Sequence, residues 1–438
     1  MNGFVDVQGR RIHGWAFDQQ TSQPTSVDIF VDGAKVGSTV ADQHRADLTA
    51  VTPDGRCAFE FFLPAALMDG TPRLVEVRAS GAAAPLTYGA FKFQFPSPDY
   101  VAGLAQWVMR LGWWVLAVTR KDDVVEFGGW CVSPPGAPEG RISVNGAPVR
   151  ITMEARHEEW TRHFAPNLVL RHFTGRIPRQ PEWNDLHFSF GHERPFRPLQ
   201  DIYYPLFPVP MPDEARRLRV HGNSSETAFD LEGYSAAIKL DQVARRFAEV
   251  PLAELGPVLD WGCGCGRTTR FLERSRIELY GVDIDADNVR WCAENLSGNY
   301  SPIDPDPPTK FSNNFFGAIY GISVFTHLDR HYEALWLAEL HRIARPGALL
   351  LLSVLGGVSA VRGGMADRVV APTGGAGFTD AGRNADIDLV TPASEYYRNV
   401  FHLPAYVTSV WGKYFEILSI EEAVIGNTQD LVVARKPL

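Results

Sequence analysis

One short segment, Asp260–Arg267 (DWGCGCGR), combines an acidic residue with three glycines at two-residue spacing. The apolar run that precedes it predicts a strand ending at this point. A chain that leaves a strand, turns sharply and lets a ligand touch its backbone needs glycine, which has no Cβ. Ligands of open parallel sheets bind beyond the carboxyl ends of strands. The segment therefore predicts a ligand-binding turn, with candidate contacts Asp260, Gly262, Cys263, Gly264, Gly266 and Arg267.

The spacing of these glycines separates classes of ligand. A dinucleotide-binding turn has the pattern G-x-G-x-x-G. If Gly262 is its first glycine, the last glycine of the pattern should stand at 267, where this sequence has Arg267. The third glycine, Gly266, comes one residue too early. A Walker loop is excluded because no Gly-Lys-Ser/Thr follows. The carboxylate of Asp260 suits a cationic amino-acid group better than a pyrophosphate.

A second acidic residue, Asp283, ends the next predicted strand, 17 residues after Gly266. An acid at this place can accept hydrogen bonds from both hydroxyls of a ribose. The alternative is that Asp260 and Asp283 only cap helices or stabilise turns.

These motifs resemble those of class I S-adenosylmethionine (SAM)-dependent methyltransferases. The pattern D-x-G-x-G-x-G at 260–266 is similar to their first motif, and Gly281-x-Asp283 is similar to their ribose-binding acid. Residues 316–320 resemble their fourth strand, and residues 345–347 resemble the turn before their fifth. The resemblance covers Leu218–Leu438. It implies SAM as the cofactor, with its methionine part at 260–266 and its ribose at Asp283.

The resemblance also implies further cofactor contacts. The loop 299–308 would contact the adenine, with Ile303 and Asp304 as candidates. Ile284, beside the ribose acid, and Ser323, after the fourth strand, complete the candidate set. Residues 220–222 and 229–234 resemble the segment that closes over the cofactor in this family, and the alternative is an ordinary linker.

His327 is the candidate catalytic residue, because in this fold its position faces the methyl group of the cofactor. A hydroxyl acceptor is a poor nucleophile until its proton leaves, and a histidine can accept that proton. Alternatively, His327 caps the following helix or only lines the pocket. An amine acceptor that arrives neutral would need only proximity.

The elements that position these residues belong to an α/β pattern. Strands and helices alternate through 206–438, which predicts a Rossmann-like domain with a mostly parallel seven-stranded sheet. The runs 415–420 and 430–434 predict a closing antiparallel hairpin. The glycine-rich stretch 356–383 predicts an acceptor-binding insertion or lid.

The first half of the sequence reads as β-structure. Short β-rich runs and the turn signal Asp32-Gly33 predict a sandwich-like module over 1–97. Gly129-Trp130 and Asn145-Gly146 repeat a spacing seen at Gly14-Trp15 and Asp32-Gly33, so 98–205 is predicted to be a second β-rich module and a possible repeat. The pattern resembles β-domains attached to bacterial enzymes of polysaccharide and glycoconjugate assembly. That resemblance implies a glycan-linked acceptor or a docking surface for a partner protein; the alternative is a module that only supports dimerisation or solubility.

The overall composition argues against several classes of protein. Of 438 residues, 45% are hydrophobic and 21% charged, with net charge -9, which argues against disorder, nucleic-acid binding and anionic membrane surfaces. Five scattered cysteines predict a reducing, cytoplasmic compartment, and Cys263 and Cys265 lie too close for a zinc pair, so no metal is expected. The apolar run 101–118 contains Gln106 and Arg110, which disfavours a transmembrane segment.

The favoured hypothesis is therefore a cytoplasmic bacterial enzyme that O-methylates a sugar or glycan-linked acceptor. Methylation of a small natural product or a peptide is an alternative within the same class. A non-catalytic glycan-binding scaffold with a relic Rossmann domain is an alternative from another class. An NAD-dependent enzyme is disfavoured by Arg267. The oligomeric state is not determined by the sequence.

Overall fold

The computed structural model describes residues 2–7, 11–18, 25–45, 48–49, 51–52, 54–64, 67, 71–94, 113–121, 123–133, 141–156, 169–191, 201–363, 365, 369, 377–384 and 397–438. These residues fall into two compact units. The first comprises described residues of 1–104 and 365–375, and the second comprises those of 105–364 and 376–438.

The first unit contains two four-stranded antiparallel sheets. Its strands are β1 (Asn2–Val7), β2 (Arg11–Phe17), β3 (Thr25–Val31), β4 (Ala34–Ala41), β5 (Gln43–His44), β6 (Arg56–Phe62), β7 (Pro72–Ala79) and β8 (Ala90–Gln94). The sheet orders are β1-β2-β6-β5 and β4-β3-β7-β8. Val27, Ile29 and Val31 alternate along β3 and are buried with Ile12 and Phe59 of the other sheet, so the two sheets share one core.

The second unit begins with eight strands that repeat this arrangement. They are β9 (Trp113–Arg120), β10 (Val124–Ser133), β11 (Arg141–Val144), β12 (Ala147–Val149), β13 (Ile151–Arg156), β14 (Val169–Pro178), β15 (Asp185–Gly191) and β16 (Ile202–Pro205). Their sheet orders, β9-β10-β14-β13 and β12-β11-β15-β16, match those of the first unit strand for strand. The hairpin residues Asp32-Gly33 and Asn145-Gly146 both have positive φ, near 49° and 80°. This correspondence of strand orders and hairpins is the one expected if 98–205 repeats the module of 1–97.

The C-terminal part of the second unit is the predicted α/β region. Its helices are α1 (Glu214–His221), α2 (Glu226–Ala248), α3 (Thr269–Leu272), α4 (Ala286–Asn295), α5 (Arg330–Ile343), α6 (Gly357–Arg362) and α7 (Pro404–Val410), with short 3₁₀ turns at Leu252–Glu254, Glu273–Ser275, Phe325–His327 and Trp411–Lys413. Its strands are β17 (Val258–Trp261), β18 (Leu279–Asp283), β19 (Asn299–Pro302), β20 (Phe316–Gly321), β21 (Ala344–Val354), β22 (Phe378–Arg383), β23 (Arg398–His402), β24 (Glu416–Ile425) and β25 (Gln429–Arg435).

Seven of these strands form one mixed sheet in the order β19-β18-β17-β20-β21-β25-β24. The first five strands run parallel to one another. β25 pairs antiparallel with both β21 and β24. The sheet is thus mostly parallel, as predicted, and it is mixed because the short turn between β24 and β25 joins antiparallel strands, which form the predicted closing hairpin.

Both faces of this sheet are covered, as a central parallel sheet requires. Leu259, Trp261 and Ile319 pack into a core on one face, and Val258 and Ala318 pack into a second core on the other. Every residue of β17 and β20 is buried. The carboxyl ends of the central strands are therefore held rigidly in place.

Helix α2 contains the second segment that resembles a cofactor-closing element, 229–234, and begins before it, at Glu226. Ser225 caps it by accepting a hydrogen bond from the backbone N–H of Ala228. Gly233 inside the helix allows close packing, since a Cβ there would lie 2.1 Å from the carbonyl oxygen of Arg267. The predicted closing segment 229–234 is therefore part of α2.

Parts of the predicted insertion and of the apolar run lie outside the described residues. Within 356–383 the structure shows α6 and β22, and β22 pairs with β23. Within 101–118 it shows only the start of β9. No helix in the described ranges has the length and apolarity needed to cross a membrane.

Candidate functional site

A cavity of about 420 Å³ opens at the carboxyl ends of β17, β18 and β20. Ten predicted site residues line it: Asp260, Gly262, Cys263, Gly264, Arg267, Asp283, Ile284, Ile303, Ser323 and His327. The lining also contains residues that the sequence analysis did not assign, notably Arg219, His221, Glu232, Tyr397 and Gln429. The α/β fold thus brings together Arg219 and Gln429, which are 210 residues apart in the sequence.

The glycine turn has the backbone shape that its composition predicts. Gly262 and Gly264 have φ values of 80° and 52°. A Cβ on Gly262 would lie 2.3 Å from Val324, and one on Gly264 would lie 3.0 Å from Val220 of α1. Glycine is needed here for both the dihedral angle and the close approach.

Two predicted contacts do not reach the cavity. Gly266 has φ of 74°, and its α-carbon faces the end of α4, where a Cβ would lie 2.7 Å from Leu296. This glycine allows the turn to pack closely on α4. Asp304 is exposed and lies outside the cavity lining, although its neighbour Ile303 lies inside it.

The two acids of the site are bound differently. Asp283 accepts hydrogen bonds from the backbone N–H groups of Gly264 and Asp285, at 2.8 and 2.9 Å. Asp260 accepts one from the hydroxyl of Thr269. Burial raises the pKa of Asp260 to about 7 and that of Asp283 to about 6. Carboxyl groups that line a cavity and have raised pKa values are candidates for ligand contacts.

His327 is oriented by the strand that follows the insertion. Its Nδ1 lies 2.8 Å from the backbone oxygen of Arg398, and its ring stacks on Tyr397 at 3.9 Å between centroids. A carbonyl oxygen can only accept, so Nδ1 carries the proton and the neutral ring has its lone pair on Nε2. The helix cap that was an alternative role is supplied by Asp329.

Ser323 adopts a conformation that is uncommon outside glycine, with φ of 63°. Its backbone N–H donates to Ser353 Oγ at 2.7 Å, and its hydroxyl accepts from the Gln429 amide at 2.6 Å. Ser353 in turn donates to Gln429 Oε1 at 2.7 Å. This closed network fixes the backbone beside the cavity. Gln429 belongs to the last strand, and no local pattern indicated it.

Helix α1 lies along the cavity and is held by charged contacts. Arg219 forms ion pairs with Asp285 at 2.7 Å and with Asp287 at 3.1 Å, and Arg216 contacts Asp287 at 2.8 Å. Asp285 also caps α4. Leu218–Gly222 lines the cavity, so the predicted closing segment 220–222 lies where the resemblance implies.

The described residues contain no group of three or more His, Cys, Asp or Glu side chains that could hold a metal ion. All five cysteines are free and buried. Burial raises the pKa of Cys265 to about 12, so this thiol stays protonated beside the glycine turn.

Comparisons with known proteins agree with this geometry. Residues 259–352 match a family model described as a methyltransferase domain. No curated protein gives a significant match. Asp260, the glycine turn, Asp283 and His327 all lie within the matched residues.

Several solved structures resemble part of the chain. A SAM-dependent methyltransferase from Methanosarcina mazei has 18% identity and a TM-score of 0.31, over 42% of this chain and 92% of its own. One from Mesorhizobium loti has 16% identity and a TM-score of 0.32, over 45% and 97%. The glycopeptide N-methyltransferase MtfA, complexed with SAM, has 18% identity and a TM-score of 0.33, over 47% and 95%.

Identities and TM-scores at this level carry no argument about substrate. The family match and the geometry of the cavity are the findings that bear on the activity. Residues 259–352 are thus similar to a methyltransferase domain, and SAM is the cofactor that this match supports.

Proposed function

We propose that the protein transfers the methyl group of SAM to a hydroxyl group of a sugar or glycan-linked acceptor. The observation that carries the proposal is the arrangement of one cavity. In it, Asp283 is hydrogen-bonded to the glycine turn, and the Arg398 carbonyl binds His327 Nδ1, which leaves the lone pair of Nε2 to accept a proton. That both residues line one cavity supports a cofactor and a proton acceptor at the same site.

The cofactor would lie across the carboxyl ends of β17 and β18. Asp283 is placed to accept hydrogen bonds from the ribose hydroxyls, and Asp260 offers negative charge to the cationic end. Ile284 and Ile303 provide apolar surface for the adenine. Gly262 and Gly264 let the backbone approach the ligand.

Methyl transfer is an in-line displacement at the methyl carbon. Bound SAM would supply its methyl carbon to the acceptor oxygen, and the electron pair of the broken carbon–sulfur bond would remain on sulfur. The acceptor's proton moves to His327 Nε2, and the Nδ1–H bond to the Arg398 carbonyl stabilises the resulting imidazolium. The products are S-adenosylhomocysteine, a methyl ether and a proton released later from the histidine.

The acceptor would enter past Tyr397, whose ring stacks on His327. An aromatic face of this kind packs well against the apolar face of a sugar ring. We extend the proposal to the N-terminal β-modules, which would bind a glycan or a partner protein. A cytoplasmic location, with five reduced cysteines, belongs to the same proposal.

The test is methyl transfer from isotopically labelled SAM to separate pools of bacterial glycans, peptides and small natural products. Label in an alkali-stable methyl ether of a sugar supports the proposal. Label only in the peptide or natural-product pool would contradict the sugar acceptor and assign that other class of acceptor. Absence of SAM binding to the pure protein would refute the methyltransferase activity itself.

A further inference from the structure

Glu333 is a buried acid of α5 that the proposed mechanism does not use. It is only 1% exposed, and its backbone N–H donates to the carbonyl of Asp329, the residue that caps α5. Among the described residues, Glu333 is not part of the cavity lining. A buried carboxylate is unfavourable unless hydrogen bonds compensate for the hydration that it has lost. The partners of Glu333 therefore indicate its role.

Three side chains donate hydrogen bonds to this carboxylate. His402 Nε2 and Trp411 Nε1 lie 2.9 and 2.6 Å from Oε1, and the Tyr406 hydroxyl lies 2.5 Å from Oε2. These donors belong to β23, to α7 and to the 3₁₀ turn after α7, which all follow the insertion. Burial alone would raise the pKa of Glu333, but the hydrogen bonds lower it below its ordinary value. The ionised acid thus connects 402–411 to α5.

The same part of the chain orients the ring of His327. Tyr397 stacks on this ring, and the carbonyl of Arg398, the first residue of β23, accepts from Nδ1. The last residue of β23 is His402, which donates to Glu333. On the other side, the 3₁₀ turn that contains His327 leads directly into α5, which carries Glu333. Both partners of the His327–Arg398 bond therefore belong to elements that Glu333 joins.

We infer that Glu333 is a positioning residue for His327. By holding one end of β23 against α5, its carboxylate fixes the Arg398 carbonyl, which keeps the proton of the His327 ring on Nδ1 and the lone pair on Nε2. This inference rests on the proposed function, because it assumes that His327 accepts the proton of the acceptor. A displacement of about 1 Å at a reacting group can reduce the rate about a hundredfold.

Other contacts hold β23 in the fold when the carboxylate is removed. The backbone N–H of His402 donates to the Leu355 carbonyl at 2.8 Å, and Phe401 forms a bridge with the same residue. β23 also pairs antiparallel with β22. Because these contacts use the backbone, we expect a variant at Glu333 to fold with β23 less firmly placed.

Glu339 provides a matched control on the same helix. It is also buried, and it accepts hydrogen bonds from Thr309, in the loop before β20, and from Arg342 of α5 itself. Glu339→Ala therefore removes a buried, hydrogen-bonded acid from α5, as Glu333→Ala does, but its bonds go to other elements than β23. A general loss of helix stability should appear in both variants.

The first test measures the tautomer of His327 in the full-length protein. Nitrogen chemical shifts from NMR with isotopically labelled histidine report it at about pH 8, above the ordinary pKa of histidine. His327→Asn identifies the signals of this ring. Wild type and Glu339→Ala should carry the proton on Nδ1, whereas Glu333→Ala should show a mixture of both neutral forms. An unchanged ring in Glu333→Ala, or a proton on Nε2 in wild type, would overturn the inference.

A second variant keeps this test decisive if Glu333→Ala does not fold. His402→Phe keeps an aromatic ring beside Phe378 and Tyr406 but removes the donor that links β23 to Glu333. Melting curves show which variants are folded. His402→Phe should change the tautomer of His327 in the same direction, and a folded variant with the wild-type tautomer would contradict the inference.

The second test measures turnover with the acceptor found by the labelling experiment. Glu333→Ala should reduce turnover about tenfold to a hundredfold, while its affinity for S-adenosylhomocysteine stays within about twofold of wild type. Glu333→Gln should recover most of the turnover. Its amide oxygen can accept from His402 and Trp411, and its NH₂ group can donate to the Tyr406 hydroxyl, which accepts as well as donates.

A double variant shows whether Glu333 acts through His327. Added to His327→Ala, Glu333→Ala should reduce turnover little further, because the group that it positions is already absent. A full additional loss would overturn the inference, and so would equal losses of turnover and affinity in Glu333→Ala and Glu339→Ala. Absence of SAM binding by wild type would refute the proposed function instead, and the tautomer measurement, which needs no cofactor, would still decide whether Glu333 orients His327.

Discussion

The carboxylate of Asp283 and the backbone N–H of Gly264 lie 2.8 Å apart and form a hydrogen bond. The acid at the end of β18 therefore holds the glycine turn that follows β17. Its second oxygen accepts from the N–H of Asp285, which caps α4. One side chain thus connects the two parts of the cavity that the cofactor would touch.

Replacing Asp283 by alanine should weaken SAM binding by about 1–3 kcal/mol, because two ribose hydroxyls would lose their acceptor in a buried site. Calorimetry on the pure protein measures the change. Asp304→Ala is the matched control, since this exposed acid lies outside the cavity. Unchanged affinity in Asp283→Ala would place the ribose elsewhere.

The affinity for SAM should fall as the pH decreases below about 6. Burial raises the pKa of Asp283 to about 6, and hydroxyl donors favour the charged carboxylate. Binding should therefore lower this pKa and release protons near pH 6, which calorimetry in buffers of different ionisation enthalpy detects. Asp283→Asn should remove the proton release that is due to this residue. The release due to Asp260, whose pKa is also raised by burial, should remain. Proton uptake in wild type at this pH would contradict the assignment.

His327→Ala should reduce turnover by about 10²–10⁴-fold while changing the affinity for S-adenosylhomocysteine little, as expected for a general base. His327→Asn is the sharper variant, because its amide N–H can still donate to the Arg398 carbonyl while the base is absent. The asparagine variant should keep the melting temperature of wild type, and its turnover should fall by as much as that of His327→Ala. Substantial turnover by the asparagine variant would exclude proton transfer at this position.

Lys239→Met should stabilise the protein at neutral pH. Lys239 is fully buried on α2, its Nζ donates to the Val424 carbonyl at 2.9 Å, and burial lowers its pKa from 10.5 to about 7. That shift corresponds to roughly 5 kcal/mol against the charged form. Methionine removes this penalty but leaves the carbonyl unpaired, at a cost of about 1–3 kcal/mol. The net gain at pH 7 should be about 2–4 kcal/mol.

The pH dependence of the Lys239 effect has a defined sign. Between about 7 and 10.5 the unfolded chain binds a proton that the folded chain does not, so the stability of wild type rises with pH. The advantage of methionine should shrink over this range, vanish between about pH 8 and pH 10, where the remaining penalty equals the cost of the unpaired carbonyl, and then reverse. Denaturant unfolding at several pH values measures it, with exposed Lys413→Met as the control. A methionine variant that is less stable than wild type at pH 7 would show that the buried lysine is favourable.

Local spacing was enough to predict the glycine turn and Asp283, because each motif lies within a few residues at the end of a strand. It did not predict Arg219 or Gln429. Arg219 reaches the site through its pairing with Asp285, and Gln429 through its bond to Ser323. Such pairs join segments that are distant in the sequence, and local sequence patterns do not predict them.

The sequence also predicted that glycine is needed at Gly266 without showing which neighbour requires it. A spacing pattern indicates that a Cβ is excluded, and only the fold shows that Leu296 and not a ligand excludes it. In the same way, the sequence predicted the layered α/β region and its closing antiparallel hairpin, while only the fold shows that this hairpin pairs with β21.

The central claim is that the cavity lined by the glycine turn and Asp283 binds SAM. Titration of the purified full-length protein with SAM and, separately, with NAD tests it most directly. We expect saturable binding of one SAM per chain, competition by S-adenosylhomocysteine and no binding of NAD. Absence of SAM binding at high micromolar concentration, or binding of NAD in its place, would contradict the claim.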